Sequence, residues 1–382
     1  MNNSLFKFLP LLPFLLCVQA SVNKCANRLL EPCICGQQYI ERITKFVVNC
    51  TNTGFTTTEA LQVLPEQTNV LIFTGNHLNV LPMNIFGDSP YLSELQVIDM
   101  SNNGIREIKG KTFHHVTKVQ RLILNHNNIS IAAEDDRNFH HPRVFSNFFN
   151  LEELHLTNAF ADNTDSKLAD DLHDIFVNSN LTKLYKLHLE QNEIKGWKDE
   201  KVFCDLPNLH DLYLGDNKIP SLNFKILCLK KLRYLDLEYN NITKFTQKDL
   251  DLFDQLQSEP SRSEALTLEI GNNPLKCDAA ARNLYLWSQN TRVKIRNEDL
   301  LKCVNAKYGQ KYIVNLKSLT ESKQGRVSKA LTVLLVVLIC ILVTLTSVYV
   351  YLKKESVRNK LSPVFEAITR KVQYTTIESQ EV

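Results

Sequence analysis

LHDLYLGDNKI, Leu209 to Ile219, sets leucine at its first, fourth and sixth places, asparagine at its ninth and isoleucine at its eleventh. The same skeleton stands 25 residues earlier in LYKLHLEQNEI, from Leu184, and 23 residues later in LRYLDLEYNNI, from Leu232. Apolar side chains at places four and six, with a more polar one between them, alternate with the two-residue period of a strand. Each unit therefore offers one short strand followed by a turn.

This is the leucine-rich repeat signature. Eight copies begin at Thr68, Leu95, Val119, Leu151, Leu184, Leu209, Leu232 and Ala265. Strands laid side by side predict an α/β leucine-rich repeat solenoid with a curved parallel sheet, each unit burying its face against its neighbours. The ninth-place asparagines read as scaffold, their amides satisfying backbone groups where the chain turns inward. Phe86, Phe113, Phe145, Phe176 and Phe203 fall in the return segments and fill the space behind the sheet.

The fourth copy, LEELHLTNAFA, carries Ala159 in place of asparagine and Ala161 at its last apolar place. Polar inserts flank it, AEDDRNFHHPR before and DNTDSKLADD after. They are expected to protrude as loops, either binding loops on a rigid scaffold or tolerated insertions.

Residues 1–20 combine Lys7 with an apolar run from Phe8 to Val18 and read as a cleavable secretory signal containing Cys17. Ala330 to Leu352 is uncharged over 23 residues. As a transmembrane helix it is about 34 Å long, against a hydrocarbon core of about 30 Å. Basic residues flank this span almost equally, so the signal sets the orientation, with the N-terminal part outside and residues 353–382 in the cytoplasm. Between these ends lie an N-terminal cysteine cap over 21–60, the repeats over 61–275, a C-terminal cap over 276–320 and a juxtamembrane linker over 321–329. A net charge of +3 gives no basis for nucleic-acid binding.

Eight cysteines remain outside the signal and the span, an even number in an oxidising compartment, which favours disulfides. Cys25, Cys33, Cys35 and Cys50 precede the first repeat, and their spacing allows three pairings. Cys277 and Cys303 follow the last repeat and can close a reduced C-terminal cap, in which Ala279 stands where a second cysteine is usual. Cys204 and Cys228 occupy nearly corresponding places in successive repeats, where they either cross-link adjacent turns or stay as buried thiols. Glycosylation sequons stand at Asn49, Asn128, Asn180 and Asn241. Asn128 and Asn241 sit at place ten, past the strand, so glycans there leave the concave centre open.

Side chains at places two, three and five point out of the concave sheet. Along that face the C-terminal half is richer in aromatic and acidic groups, and His155, His188, Asp211, Tyr213, Tyr234 and Asp236 are the protein-binding candidates. His155 and His188 fall on adjacent strands and, with Glu190, invite a metal reading. Ordinary polar contact is the simpler account, so neither metal nor cofactor is expected. No HExxH, G-x-S-x-G or P-loop motif occurs and a tail of 30 residues holds no enzymatic domain, so catalysis is not expected. In the tail, Ser362 and Pro363 open a segment with Val364, Ile368 and Val372 on one helical face beside Arg370 and Lys371, suited to a membrane surface or a partner, or else a disordered stub. Val382 makes a weak PDZ ligand, because Gln380 replaces the preferred Ser or Thr.

TGNHLNVLP in the first repeat, LEELHLTNAFADNTDS in the middle and NNPLKCD at the C-terminal cap together resemble the trophoblast glycoprotein family of single-pass cell-surface leucine-rich repeat proteins. The resemblance runs from about Cys25 to Cys303 and includes the order of signal, caps, span and short tail. It implies disulfides Cys25–Cys35 and Cys33–Cys50, antagonism of Wnt/β-catenin signalling at the plasma membrane, and roles in migration and adhesion. The reduced C-terminal cap, the extra Cys204 and Cys228 and a different cytoplasmic end mark a distant relative. The expectation is a cell-surface glycoprotein that binds an extracellular or cell-surface protein, a Wnt pathway component by resemblance, and modulates signalling. The alternative is an adhesion or guidance protein linking an extracellular ligand to the cell cortex.

Overall fold

The computed structural model of the chain describes residues 23–87, 92–130, 144–161, 167–260, 262, 264–298, 301–307 and 310–353, with Pro363, Glu366, Ala367 and Thr369 beyond them. The signal, the insert Ala133–Arg143, residues 162–166 of the second insert and the tail features Ser362, Val364, Ile368, Arg370, Lys371, Val372, Gln380 and Val382 lie outside the described residues.

A sheet of 12 strands carries the described solenoid. It opens with an antiparallel cap, β1 (Asn23–Lys24), β2 (Ile34–Ile40) and β3 (Ile43–Asn49). β3 then pairs in parallel with β4 (Val70–Ile72). The repeat strands follow as β6 (Val97–Asp99), β8 (Arg121–Ile123), β9 (Glu153–His155), β10 (Lys186–His188), β11 (Asp211–Tyr213), β12 (Tyr234–Asp236) and β13 (Thr267–Glu269), and β14 (Lys294–Ile295) closes the sheet. Two side strands, β5 (Val80–Leu81) and β7 (Glu107–Ile108), pair with each other in parallel. β15 (Lys302–Lys307) and β16 (Gln310–Asn315) form an antiparallel hairpin.

The strands pair without stagger. Leu71, Ile98, Leu122, Leu154, Leu187, Leu212, Leu235 and Leu268 are register partners in sequence, and each is fully buried. One slip of register would turn this row into solvent and its flanking residues inward, so the burial fixes the alignment.

Beyond each strand the ninth-place asparagine joins two repeats. Asn103 donates through Nδ2 to the carbonyls of Phe73 at 2.7 Å and Met100 at 2.8 Å, and accepts the Asn76 N–H at 2.8 Å. At the fourth repeat Ala159 makes none of these side-chain bonds. There the backbone substitutes, the Ile129 N–H donating to the Ala159 carbonyl at 2.9 Å and Ile129 bridging Phe160. The residue before the ninth place takes a left-handed backbone throughout, from Gly75 (φ 69°) through Asn102, His126, Asn158, Gln191, Asp216 and Tyr239 to Asn272 (φ 54°). Its N–H points to the next repeat, as Asp216 does to the Glu238 carbonyl at 2.9 Å.

Behind the sheet Phe86, Phe113, Phe145, Phe176 and Phe203 are buried, and Phe113–Phe148 and Phe176–Phe203 meet at 5.2 and 5.9 Å between ring centroids. Helices fill the longer returns. The second insert is not wholly a loop: from Lys167 it forms α1 (Lys167–Phe176), because Leu168, Leu172, Ile175 and Phe176 recur at helical spacing and bury one face. α2 (Gln247–Gln257) starts at a capping box between Thr246 and Asp249 and buries Leu250, Phe253 and Leu256. α3 (Ala279–Ser288) is capped by Asp278, and the Trp287 indole N–H donates to Asp254 at 2.7 Å, tying α3 to α2.

The chain divides after Leu316 into two units. In the second, α4 (Leu316–Leu352) is one helix of 37 residues. Residues 321–329, expected as a linker, are part of it: the stretch has no proline and only Gly325 to weaken the helix, so propagation continues. Leu331–Leu352 is long and apolar enough to cross a membrane.

Candidate protein-binding face

The concave side of β9 to β12 carries a row of rings. His155, His188 and Tyr213 are register partners at the fifth place of successive repeats. The two imidazoles stack at 4.3 Å with planes 15° apart, and His188 stacks on Tyr213 at 4.0 Å and 9°. Tyr234, from the third place of its repeat, tilts in beside Tyr213 at 5.1 Å. Parallel strands lie about 4.8 Å apart, so flat rings in register must meet face to face.

On one side of the rings runs an ion-pair network that the sequence reading did not single out. The Glu153 carboxylate, 5% exposed, accepts from Arg121 Nε at 2.8 Å and Nη2 at 3.1 Å and from the Tyr185 hydroxyl at 2.6 Å. His155 Nε2 lies 3.2 Å away and Lys186 Nζ 3.7 Å. Burial alone would raise this carboxyl, but hydrogen bonds from His155, Arg121 and Tyr185 outweigh it and hold Glu153 well below the usual carboxylate range. Burial and Glu153 push the Tyr185 hydroxyl up to about 12. Burial also lowers His155, against the hydrogen bond with Glu153. Arg121 Nη1 reaches across to Glu41, at the tip of the β2–β3 hairpin, at 3.0 Å. Arg121, Glu153, Tyr185 and Arg233 all stand at second or third places, and that position is the signal that picks them out.

Asp211 departs from its expected role. It lies on the concave row, yet it is 4% exposed and held by Arg233 through Nε at 2.7 Å and Nη2 at 2.9 Å. Its carboxylate is spent inside the fold because the neighbouring strand supplies a guanidinium fork of matching geometry. The Tyr234 hydroxyl donates to Glu269, which Arg296 Nη1 approaches at 3.2 Å. Two hollows open along this edge, one of about 690 Å³ beside Asp211, Tyr213, Tyr234 and Lys294, the other of about 470 Å³ beside Tyr185, His210 and Arg233.

On the other side of the rings Asp236 accepts the Glu238 N–H at 2.8 Å and overhangs Gly215, where a Cβ would come within 2.6 Å of its Oδ2. Its carboxyl is pushed up to about 6 by burial and by the charges of Glu269, Glu190 and Glu238, against the Glu238 N–H. Glu190 is half-buried, but His188 Nδ1 at 2.8 Å and the Thr157 hydroxyl at 2.8 Å hold it below the usual range. The metal reading does not fit this geometry. The two imidazoles face each other, each has a ring nitrogen on a separate carboxylate, and no cluster of three His, Cys, Asp or Glu suited to a metal exists among the described residues.

The cysteines pair as Cys25–Cys35 and Cys33–Cys50 in the first cap, each with S–S 2.01 Å, and Cys277–Cys303 at 2.03 Å in the second. Cys204 bonds Cys228 across consecutive returns. Asn180 and Asn241 are exposed and Asn128 is half-buried, while Asn49 ends β3 in register with Ile72, its Oδ1 accepting from Thr51.

Register, asparagine ladder and capped ends define a leucine-rich repeat protein, and the leucine rich repeat family models match residues 66–129, 182–242 and 231–256. The stretch the models leave between 129 and 182 contains the repeat that lacks its asparagine. Within this class the chain is similar to trophoblast glycoprotein. It is 27% identical over 270 residues to trophoblast glycoprotein of Macaca fascicularis, covering 67% of this chain and 59% of that one. Lumican of Coturnix japonica is 29% identical over 46% of this chain and 62% of its own length, and Tsukushi of Gallus gallus 26% over 49% and 45%. The aligned part thus spans less than two thirds of each of these relatives. A crystal structure of human trophoblast glycoprotein, also called Wnt-activated inhibitory factor 1, shares the fold with TM-score 0.56 and 24% identity, covering 67% of this chain and 87% of that one. These relatives are extracellular leucine-rich repeat glycoproteins, and no enzyme family is indicated.

Proposed function

We propose that this chain is a single-pass cell-surface glycoprotein, N-terminus outside, that binds a protein partner through the concave face of its C-terminal repeats and so modulates a signalling receptor complex. The ring row from His155 to Tyr234, preassembled across four strands, carries this reading. Stacked aromatic groups held rigid by the sheet supply contact area at little cost in side-chain entropy, which protein interfaces favour. Inhibition of Wnt signalling is the activity suggested by the second name of the human structural neighbour. The 23-residue span anchors the ectodomain, and the tail is proposed for a weak PDZ or membrane-surface contact. The test is proximity labelling on living cells expressing the full chain, with a β-catenin reporter and an aggregation assay alongside. Partner recovery lost on Tyr213→Ala and Tyr234→Ala, with a changed reporter and no aggregation, supports the reading. Unaltered recovery moves the site away from the ring row, and aggregation without a reporter change favours adhesion.

A further inference from the structure

The turn after β12 carries an exposed ring where the backbone least favours one. Tyr239 has φ 53° and is 57% exposed. That left-handed region is sparsely used outside glycine, asparagine, aspartate and histidine, and a bulky side chain there is an outlier. Among the described residues the Tyr239 side chain makes no hydrogen bond and its ring meets no other ring. The backbone beneath it is firmly held. The Tyr239 N–H donates to the Gly271 carbonyl at 3.2 Å, the Asn240 amide to the Leu214 and Leu237 carbonyls at 2.8 and 3.2 Å, and the Asn241 N–H to the Ile219 carbonyl at 3.0 Å. Burial alternates along the stretch, with Tyr239 and Asn241 exposed, Asn240 and Ile242 buried and Thr243 half-buried. Ring, sequon asparagine and sequon hydroxyl thus share the outer side at two-residue intervals. The repeats show the same association. The two with a sequon asparagine at place ten, Asn128 and Asn241, carry an exposed ring at place eight, His126 and Tyr239. The other six carry Gly75, Asn102, Asn158, Gln191, Asp216 and Asn272 there, none with a ring.

We propose that Tyr239 is a platform for the glycan on Asn241, its ring covered by the apolar face of the first N-acetylglucosamine. The inference rests on the reading of the repeats as exported. In the linkage the Asn241 amide nitrogen replaces the pyrophosphate of a lipid-linked oligosaccharide at the anomeric carbon and gives up one proton. A pyranose presents several C–H bonds on one face. Their slight positive charge meets the negative face of an aromatic ring, and apolar surface leaves water on both sides. The sugar therefore offsets what the left-handed tyrosine costs the bare turn, where asparagine or glycine would serve better. Because the ladder of hydrogen bonds holds both residues, little chain entropy is lost when ring and sugar meet. The contact fixes the glycan at the turn, beyond the end of the strand that carries Tyr234, and leaves the ring row uncovered. Asn180 is the internal control, since Asn178 stands two places before it and supplies no ring.

The experiment expresses the full chain in mammalian cells, purifies it in detergent through an epitope tag and reads each sequon by glycopeptide mass spectrometry. Thermal midpoints are then compared for Asn241→Gln in three backgrounds: wild type, Tyr239→Phe and Tyr239→Ala. Alanine meets the same left-handed backbone as tyrosine, so only the ring is removed. Expected is an occupied Asn241, whose loss lowers the midpoint by about 2 °C in the first two backgrounds and by less than about 0.5 °C in the third. Asn180→Gln should give the same change with and without the ring. A loss at Asn241 no larger with the ring than without it overturns the proposal, as does a bare Asn241 on a chain glycosylated elsewhere. Every sequon bare would overturn the reading of the repeats as exported as well, so the two failures are told apart.

Discussion

Asn217 shows how much one side chain can hold in a repeat. Its amide donates to the carbonyls of Leu189 at 2.9 Å and Leu214 at 3.0 Å, and its oxygen accepts the N–H groups of Asn192 and Ile194, both at 3.0 Å. Asn217→Ala strands buried backbone groups that cost about 1–3 kcal/mol each. A loss of about 3 kcal/mol is expected, read as a lowered denaturant midpoint of the solubilised protein. At Ala159 the chain tolerates the same deletion because the Leu124 carbonyl keeps Asn127 at 2.8 Å, the Leu156 carbonyl keeps Asn192 at 2.7 Å, and the Ile129 N–H has found the Ala159 carbonyl. Asp236 makes the opposite case, a residue held against the interest of the fold. Its folded-state value of about 6 lies above its ordinary 3.8. The stability it contributes is therefore full below the unfolded value and lost as pH rises through about 6. Asp236→Asn should raise the thermal midpoint at pH 7.4, by about 1–3 kcal/mol in stability. At pH 4 the advantage should vanish, and a variant no more stable than wild type at pH 7.4 contradicts the burial argument.

At the scale of elements, the β2–β3 hairpin places Glu41 (φ 53°) and Arg42 (φ 70°) at its tip, both left-handed and neither glycine. Two-residue hairpins with both residues in that region favour Asn-Gly. Here the tip is secured from outside, Glu41 pairing with Lys45 at 3.2 Å and Arg121 at 3.0 Å. Arg42→Gly leaves those pairs intact and removes the left-handed penalty, so a gain of about 1 kcal/mol is expected in thermal unfolding. Such a contact was not legible in the sequence: Glu41 and Arg121 are 80 residues apart, and their meeting depends on how far the hairpin leans across three strands. The repeat frame was legible, because each leucine and asparagine answers to backbone geometry inside its own unit. α1 was hidden by composition, its four buried apolar residues set among aspartates, a histidine and a lysine that read as loop. The site was half legible for the same reason. Alternation shows which residues face out, and so finds the ring row, but pairing across strands decides whether an outward carboxylate stays open, as Asp236 does, or is consumed, as Asp211 is.

At the scale of the whole molecule, a solenoid holds each repeat only through its neighbours, so a weak unit is a local liability rather than a shared one. The repeat without its asparagine carries His155, and the binding row therefore begins within the least regular part of the stack. Directly behind the next interval the Cys204–Cys228 disulfide joins the returns of the repeats that carry β10 and β11, its ends separated by 24 positions in sequence. It braces the two strands whose rings, His188 and Tyr213, lie within 9° of parallel, and a row fixed before the partner arrives loses less entropy on binding. Replacing both cysteines by alanine should cost about 3 kcal/mol if the loop-closure account holds. Because coupling runs only between neighbours, the loss of amide-exchange protection should concentrate between Leu184 and Leu237 and leave the capped N-terminal strands β2 and β3 as slow as before. Uniformly faster exchange along the whole sheet would mean that the stack opens as one unit, and that the brace serves the fold at large rather than the ring row in front of it.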